Sequence, residues 1–102
     1  MELETTVMEL IINAGESKSR AMSALACAKQ GQWEEVDELL AQSTEAAKRA
    51  HKVQTELIGM DEGEGKILVN LIMVHAQDHI MTSMLARELI EEIIDIHRTL
   101  QA

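Results

Sequence analysis

Residues 74–84 read VHAQDHIMTSM, so two histidines, an aspartate and a glutamine stand within the most apolar part of the chain. His75 and His79 are four residues apart, a spacing that stacks two side chains on one face of a helix. Gln77 points a quarter-turn or more away from them and is free to meet a different neighbour. Asp78 takes the step between Val74 and Met81. At about 100° per residue it falls within about 40° of Ile67, Leu71 and Leu85. That places a carboxylate in what the pattern marks as a core seam.

Two histidines at this spacing suit few chemistries. The plainest is a pair of core imidazoles whose N–H groups find carbonyl partners. A zinc-protease site needs Glu directly after the first histidine, and Ala76 stands there. A carboxylate-bridged di-iron bundle needs paired Glu-x-x-His motifs, and no Glu lies three residues before any histidine of this chain. What remains is nucleophilic catalysis by one imidazole. A side chain with an ordinary pKa of about 6.5 is largely neutral near neutral pH and offers a nitrogen lone pair to phosphorus. The second histidine and a glutamine amide could donate hydrogen bonds to phosphoryl oxygens.

The elements that must position these groups are legible from the breakers. Gly31 follows a helical pattern ending in Lys29, a glycine just past a helix end with a cation in the last turn. In this first helix Val7, Leu10, Ile11 and Ala14, then Met22, Leu25 and Ala26, keep three-and-four spacing on either side of the polar insert GESKS, and Gly15 weakens its middle. From Trp33 the positions Val36, Leu40, Ser43, Ala47, Ala50, Gln54 and Leu57 form the seam of a second helix reaching about Ile58. The segment GMDEGEG then reads as a connection. A third helix is expected from about Gly65 nearly to Ala102. Two short connections between three long helices imply an all-α, antiparallel up-down-up bundle, one domain over residues 1–102.

The third helix is apolar almost all round. Ile67, Leu71, Val74 and Leu85 define one face, Leu68, Ile72, Ala86 and Ile90 an adjoining one, and Val69, Met73 and Ile80 a third. Two partner helices cover only part of such a circumference, so a homo-oligomer with this helix near its centre is expected. The alternative is a monomer whose loops and termini cover the remaining face. Symmetry would gather copies of Asp78 at the axis, and each like-charged pair at ~4 Å repels by about 4 kcal/mol at an effective dielectric of ~20. Shared protons or a hard divalent cation such as Mg²⁺ would neutralise them. In a purely structural alternative, Asp78 hydrogen-bonds a neighbouring helix and fixes register. Met81 and Met84 are expected in the core. His51 and His97, with no acid or second histidine beside them, are expected to be structural or solvated, and Cys27 a buried small hydrophobe.

Composition excludes other classes. A net charge of -9 with dispersed Lys and Arg offers no footprint for nucleic acid or an anionic membrane. No apolar run approaches the ~18 residues of a membrane span. A single cysteine cannot form an internal disulfide, and MELETTVMEL lacks the features of a signal peptide. A soluble protein of the reducing cytoplasm is expected.

VHAQDHIMTSMLARELI closely resembles the signature of the lactose/cellobiose/chitobiose-type enzyme IIA of the bacterial sugar phosphotransferase system. LIINAGESKS, AKQGQWEE, AHKVQTELI and GEGK are similar to that family in order and spacing. Departures are confined to Ile80, where leucine is more familiar, and Trp33, where phenylalanine is common. The likeness extends most closely to the chitobiose and cellobiose branch. It implies a homotrimer of three-helix subunits, a nine-helix assembly. It also implies His75 as phosphoryl acceptor through Nε2, Asp78 as a buried aspartate linked to one divalent cation per trimer, and His79 and Gln77 near the phosphoryl group. Gln77 would reach it from the adjacent subunit. The implied donor is the histidine-containing phosphocarrier protein and the implied acceptor a cysteine of enzyme IIB, during uptake of a β-linked disaccharide. Two other readings compete. A two-component histidine phosphotransfer domain expects a basic residue soon after its histidine, where this chain has Ala76, Gln77 and Asp78. In a structural or metal-binding helical oligomer, both histidines and Asp78 would be ligands.

Overall fold

A computed structural model describes residues 2–101. Three helices follow in order, α1 over Leu3–Lys29, α2 over Trp33–Met60 and α3 over Leu71–Leu100. The rod measures 53 × 20 × 18 Å. α1 is the shared wall: it packs along both α2 and α3, while those two barely meet. Val7, Leu10 and Ala14 pack with Val53, Leu57, Met73 and Ile80 at one end, and Ala24 and Ala28 with Val36, Ile90 and Ile94 at the other. α2 therefore runs antiparallel to the other two, in the expected up-down-up order.

The packing stripe of α1 is an unbroken alternation of three and four: Val7, Leu10, Ala14, Ser17, Ala21, Ala24 and Ala28 are all buried. The GESKS segment does not interrupt it. Met22 and Ala26 are exposed and Leu25 half-buried, because the stripe runs straight through Ser17 rather than restarting after the polar stretch. Ser17 and Ser43 make this possible. Ser43 Oγ donates to Ser17 O at 2.7 Å and Ser17 Oγ to Ser43 O at 3.0 Å, so both buried hydroxyls are satisfied where α1 and α2 cross. Small residues dominate the stripe and let the backbones approach. On α2 the expected seam holds in outline, with Val36, Ser43, Ala50 and Leu57 buried and Leu40, Ala47 and Gln54 half-buried.

The start of α3 differs from expectation by about two turns. Gly63 and Gly65 adopt φ of +97° and +72°, left-handed values that end helical continuity and suit glycine. The Asp61 carboxylate accepts the Ile67 amide at 2.8 Å and ties the connection to the end of α2. Helix resumes only where the Asn70 side chain accepts the Met73 amide at 3.1 Å as an N-cap.

Removing the central hydroxyl tests this layer. Ser43→Ala removes the hydroxyl bond to Ser17 O and the partner of Ser17 Oγ across the layer, and is expected to cost about 0.5–1.5 kcal/mol, read as a lower urea midpoint with unchanged slope at fixed protein concentration.

Candidate functional site

α3 turns one stripe inward. Met73, Ala76, Ile80, Ser83, Ile90 and Ile94 are buried, and the first three face the upper half of α1 together with Leu57 and Val53 of α2. Of the three faces read from the sequence, the one holding Met73 and Ile80 turns inward. The face of Leu71, Val74 and Leu85 is open, and the adjoining one is mixed, with Leu68 and Ile72 exposed, Ala86 half-buried and Ile90 buried. Leu71 is 87% exposed and Met81 68%, with Ile72, Val74, Met84, Leu85, Leu89, Ile93 and Ile96 exposed as well. Two large side chains on each side of Asp78 at spacings of three and four, Leu71 and Val74 before it and Met81 and Leu85 after it, thus make an apolar strip with no partner inside the chain.

Asp78 lies on that strip and is exposed. The core seam expected around it is therefore not internal to one chain; its neighbours Leu71, Val74, Met81 and Leu85 are exposed too. Met81 and Met84, expected in the core, are likewise on the surface, because the helix face they occupy looks away from α1. Cys27 is half-buried against the lower cluster, where a buried position was expected.

His75 is exposed and His79 half-buried. Their ring centroids are 4.7 Å apart at an interplanar angle of 79°, so the edge of one imidazole meets the face of the other. Such contact holds both rings in defined orientations. His75 borders an open depression of about 720 Å³ with Leu71, Ile72, Val74 and Asp78. An approaching protein meets this nitrogen heterocycle without displacing any part of the chain.

Gln77 is placed elsewhere. It lies some 200° around the helix from His75 and lines a second groove of about 290 Å³ with Gln54, Leu57, Ile67 and Met73. Its amide and that of Gln54 bond reciprocally, Gln54 Nε2 donating to Gln77 Oε1 at 2.5 Å and Gln77 Nε2 to Gln54 Oε1 at 2.8 Å. Gln54 was legible only as a seam position of α2; its signal was a polar residue at a place where the spacing calls for an apolar one. A second polar link joins the same two helices, from the Arg87 guanidinium to the Thr44 hydroxyl, with Arg87 also paired to Glu91 at 3.1 Å. His51 is exposed and lines a groove with Met84 and Arg87, and His97 is half-buried; neither borders the His75 depression.

The carboxylate of Asp78 is a hard oxygen donor suited to a cation such as Mg²⁺. Within one chain it stands alone: among the described residues no three His, Cys, Asp or Glu side chains converge on one point. The residues fit such an ion only when copies of Asp78 from several chains meet.

An accessible imidazole beside a second one, on an otherwise apolar helix, is the setting in which the comparisons with known proteins become informative. Residues 5–98 match the profile of the PTS system, lactose/cellobiose-specific IIA subunit. The chain belongs to that family. It is 55% identical over 101 residues to the N,N'-diacetylchitobiose-specific EIIA component of Escherichia coli, covering 99% of this chain and 87% of that one. Among solved structures, it resembles the IIA(chitobiose) of the IIA–HPr complex of the E. coli phosphotransferase system, with a TM-score of 0.86, 54% identity, and coverage of 100% and 99%. The cellobiose-specific enzyme IIA of Bacillus anthracis matches with a TM-score of 0.92 and 39% identity, over 99% and 94% of the two chains. This IIA chain is thus a phosphoryl-transfer component of the phosphotransferase system, and the two-component reading falls. No helix among the described residues is long and apolar enough to cross a membrane.

The N-cap controls how α3 begins, one turn before His75. Asn70→Ala is expected to destabilise by about 1 kcal/mol and to speed hydrogen exchange at the Met73 amide, whereas Asn70→Ser retains most of the protection.

Proposed function

We propose that this IIA subunit carries phosphoryl groups in the cytoplasm during uptake of a β-linked disaccharide of the chitobiose or cellobiose type, with His75 as the carrier. The observation that supports it is the exposed His75 ring, held edge-to-face with His79 at 4.7 Å on an open depression. The histidine-containing phosphocarrier protein is the donor, in keeping with the E. coli chitobiose relative having been solved with HPr. The lone pair of His75 Nε2 attacks phosphorus in line as the donor's P–N bond breaks. The donor leaves with its imidazole neutral. In the second step the thiolate of an enzyme IIB cysteine attacks the same phosphorus and His75 is regenerated.

Little covalent work falls to the protein in such a transfer, so positioning and charge stabilisation dominate. His79 orients the His75 ring and is close enough to donate to a phosphoryl oxygen. Gln77 faces the other side of its own helix, and so its amide serves the phosphoryl group of an adjacent copy. This requires an oligomer. The strip of Leu71, Val74, Met81 and Leu85 supplies the surface for one, and three copies give a nine-helix trimer with α3 around the axis. Asp78 then lies at the centre, where three carboxylates demand shared protons or one divalent cation, Mg²⁺ among the candidates. That ion would offset the charge of the axis. Burial at the axis also makes Asp78 a group that an apolar isostere can replace without loss.

Incubation with phosphoenolpyruvate and the general phosphotransferase proteins is expected to label His75, and a His75→Ala protein to take up no label; label persisting in that variant assigns the nucleophile elsewhere. Asp78→Leu is expected to preserve or strengthen the assembly and to abolish any effect of chelator on it. Dissociation of that variant into single chains, measured by sedimentation, contradicts an axial aspartate.

A further inference from the structure

Gln77 can present either end of its amide to an anion. The oxygen would repel a phosphoryl oxygen, and the N–H would bond it. The neighbours of the amide decide between them. The reciprocal pair with Gln54 occupies Gln77 Oε1 and one Nε2 proton, through contacts of 2.5 and 2.8 Å. The second Nε2 proton is directed to Met73 Sδ at 3.8 Å, and a thioether is a weak acceptor that yields easily to an anion. Rotating the amide by half a turn would set the Gln77 oxygen against the sulfur lone pairs. The α2 residue thus fixes the plane, the α3 thioether fixes the sense, and the only donor left to offer is an N–H. Gln54 is half-buried on α2 and borders the groove rather than the His75 depression, so it does not touch the reacting atoms.

We propose that Gln54 is a positioning residue for phosphoryl transfer: by pairing with Gln77 across α2 and α3 it holds that amide so that only an N–H faces the tetrahedral oxyanion carried on His75 of an adjacent copy. The inference rests on the reading that Gln77 serves the neighbour's phosphoryl group. Pre-set orientation removes the cost of ordering a long side chain at the moment the charge arrives. Two consequences separate it from a merely structural role. The effect of losing Gln54 must vanish when Gln77 is already gone, and the Gln77 side-chain amide signals must move to the positions of a free glutamine amide when Gln54 is replaced.

The test uses the full-length protein as Gln54→Met, Gln77→Met and the double variant. The equilibrium between phosphorylated donor and phosphorylated His75 is measured by phosphorus NMR, with the Gln77 side-chain signals followed by nitrogen-edited spectra. Each single variant is expected to weaken the phosphorylated state by about ten- to a hundredfold, the worth of one charge-assisted hydrogen bond. The double variant should be no weaker than Gln77→Met alone, and sedimentation should show unchanged assembly. Should Gln54→Met fail to fold, Gln54→Asn keeps an amide one methylene too short for the reciprocal pair and is expected to show the same loss. An effect in Gln77→Met with none in the Gln54 variant, or additive losses in the double variant, overturns the role of Gln54 while leaving that of Gln77 in place. No effect in Gln77→Met removes both.

Discussion

A carboxylate on an apolar helix face that its own chain leaves bare is the constraint from which the remaining features follow. Asp78 cannot be satisfied by α1, which is on the far side of α3, nor by α2, which α3 scarcely touches. Water satisfies it in one chain, but then Leu71, Met81 and Leu85 stay wet as well, and a continuous strip of that size is costly to leave exposed. Covering the strip with copies of itself brings the acids together and makes their neutralisation compulsory. The same helix face carries His75 at its rim, so the proposed assembly would bury Asp78 and set the imidazole at the edge of a subunit boundary, open to the donor and acceptor proteins in turn.

α1 makes this arrangement affordable to the fold. Because it supplies most of the packing for both other helices, α3 needs only one apolar stripe for the internal core, and much of its surface is left uncovered by its own chain. The serine layer of Ser17 and Ser43 keeps α1 and α2 close through satisfied hydrogen bonds rather than bulk. On the opposite flank α2 and α3 communicate through polar side chains, Gln54 with Gln77 and Thr44 with Arg87. Polar bridges of this kind fix orientation where apolar contact would allow sliding. Two glutamines that would weaken an apolar seam satisfy each other instead, and under the proposed role that pairing aims the Gln77 amide.

Helix number, order and the first two boundaries were legible because Gly31 and the GMDEGEG connection punctuate a chain with strong three-and-four periodicity. The histidine pair was legible from spacing alone, and the family from the HAQDH segment and its companions. Three things were not. Helix α3 begins at Leu71 because Asn70 caps it and two left-handed glycines precede it; apolar content in Ile67–Val69 masked a loop as helix. The α1 stripe passes through a serine, which hydropathy counts as a break although a paired hydroxyl packs as a small residue. The positions of Met81 and Met84 were read as core because a wheel gives neighbours on one helix but not whether the other helices of the chain cover them.

The central claim is that the bare strip of α3 is an interface between copies of this chain and that His75 carries its phosphoryl group at that boundary. Native mass measurement after phosphorylation by the donor protein tests it directly. The account predicts a species of three chains bearing up to one phosphoryl group per chain. A phosphorylated single chain, stable at micromolar concentration and as active in passing the group onward as any larger species, would contradict it.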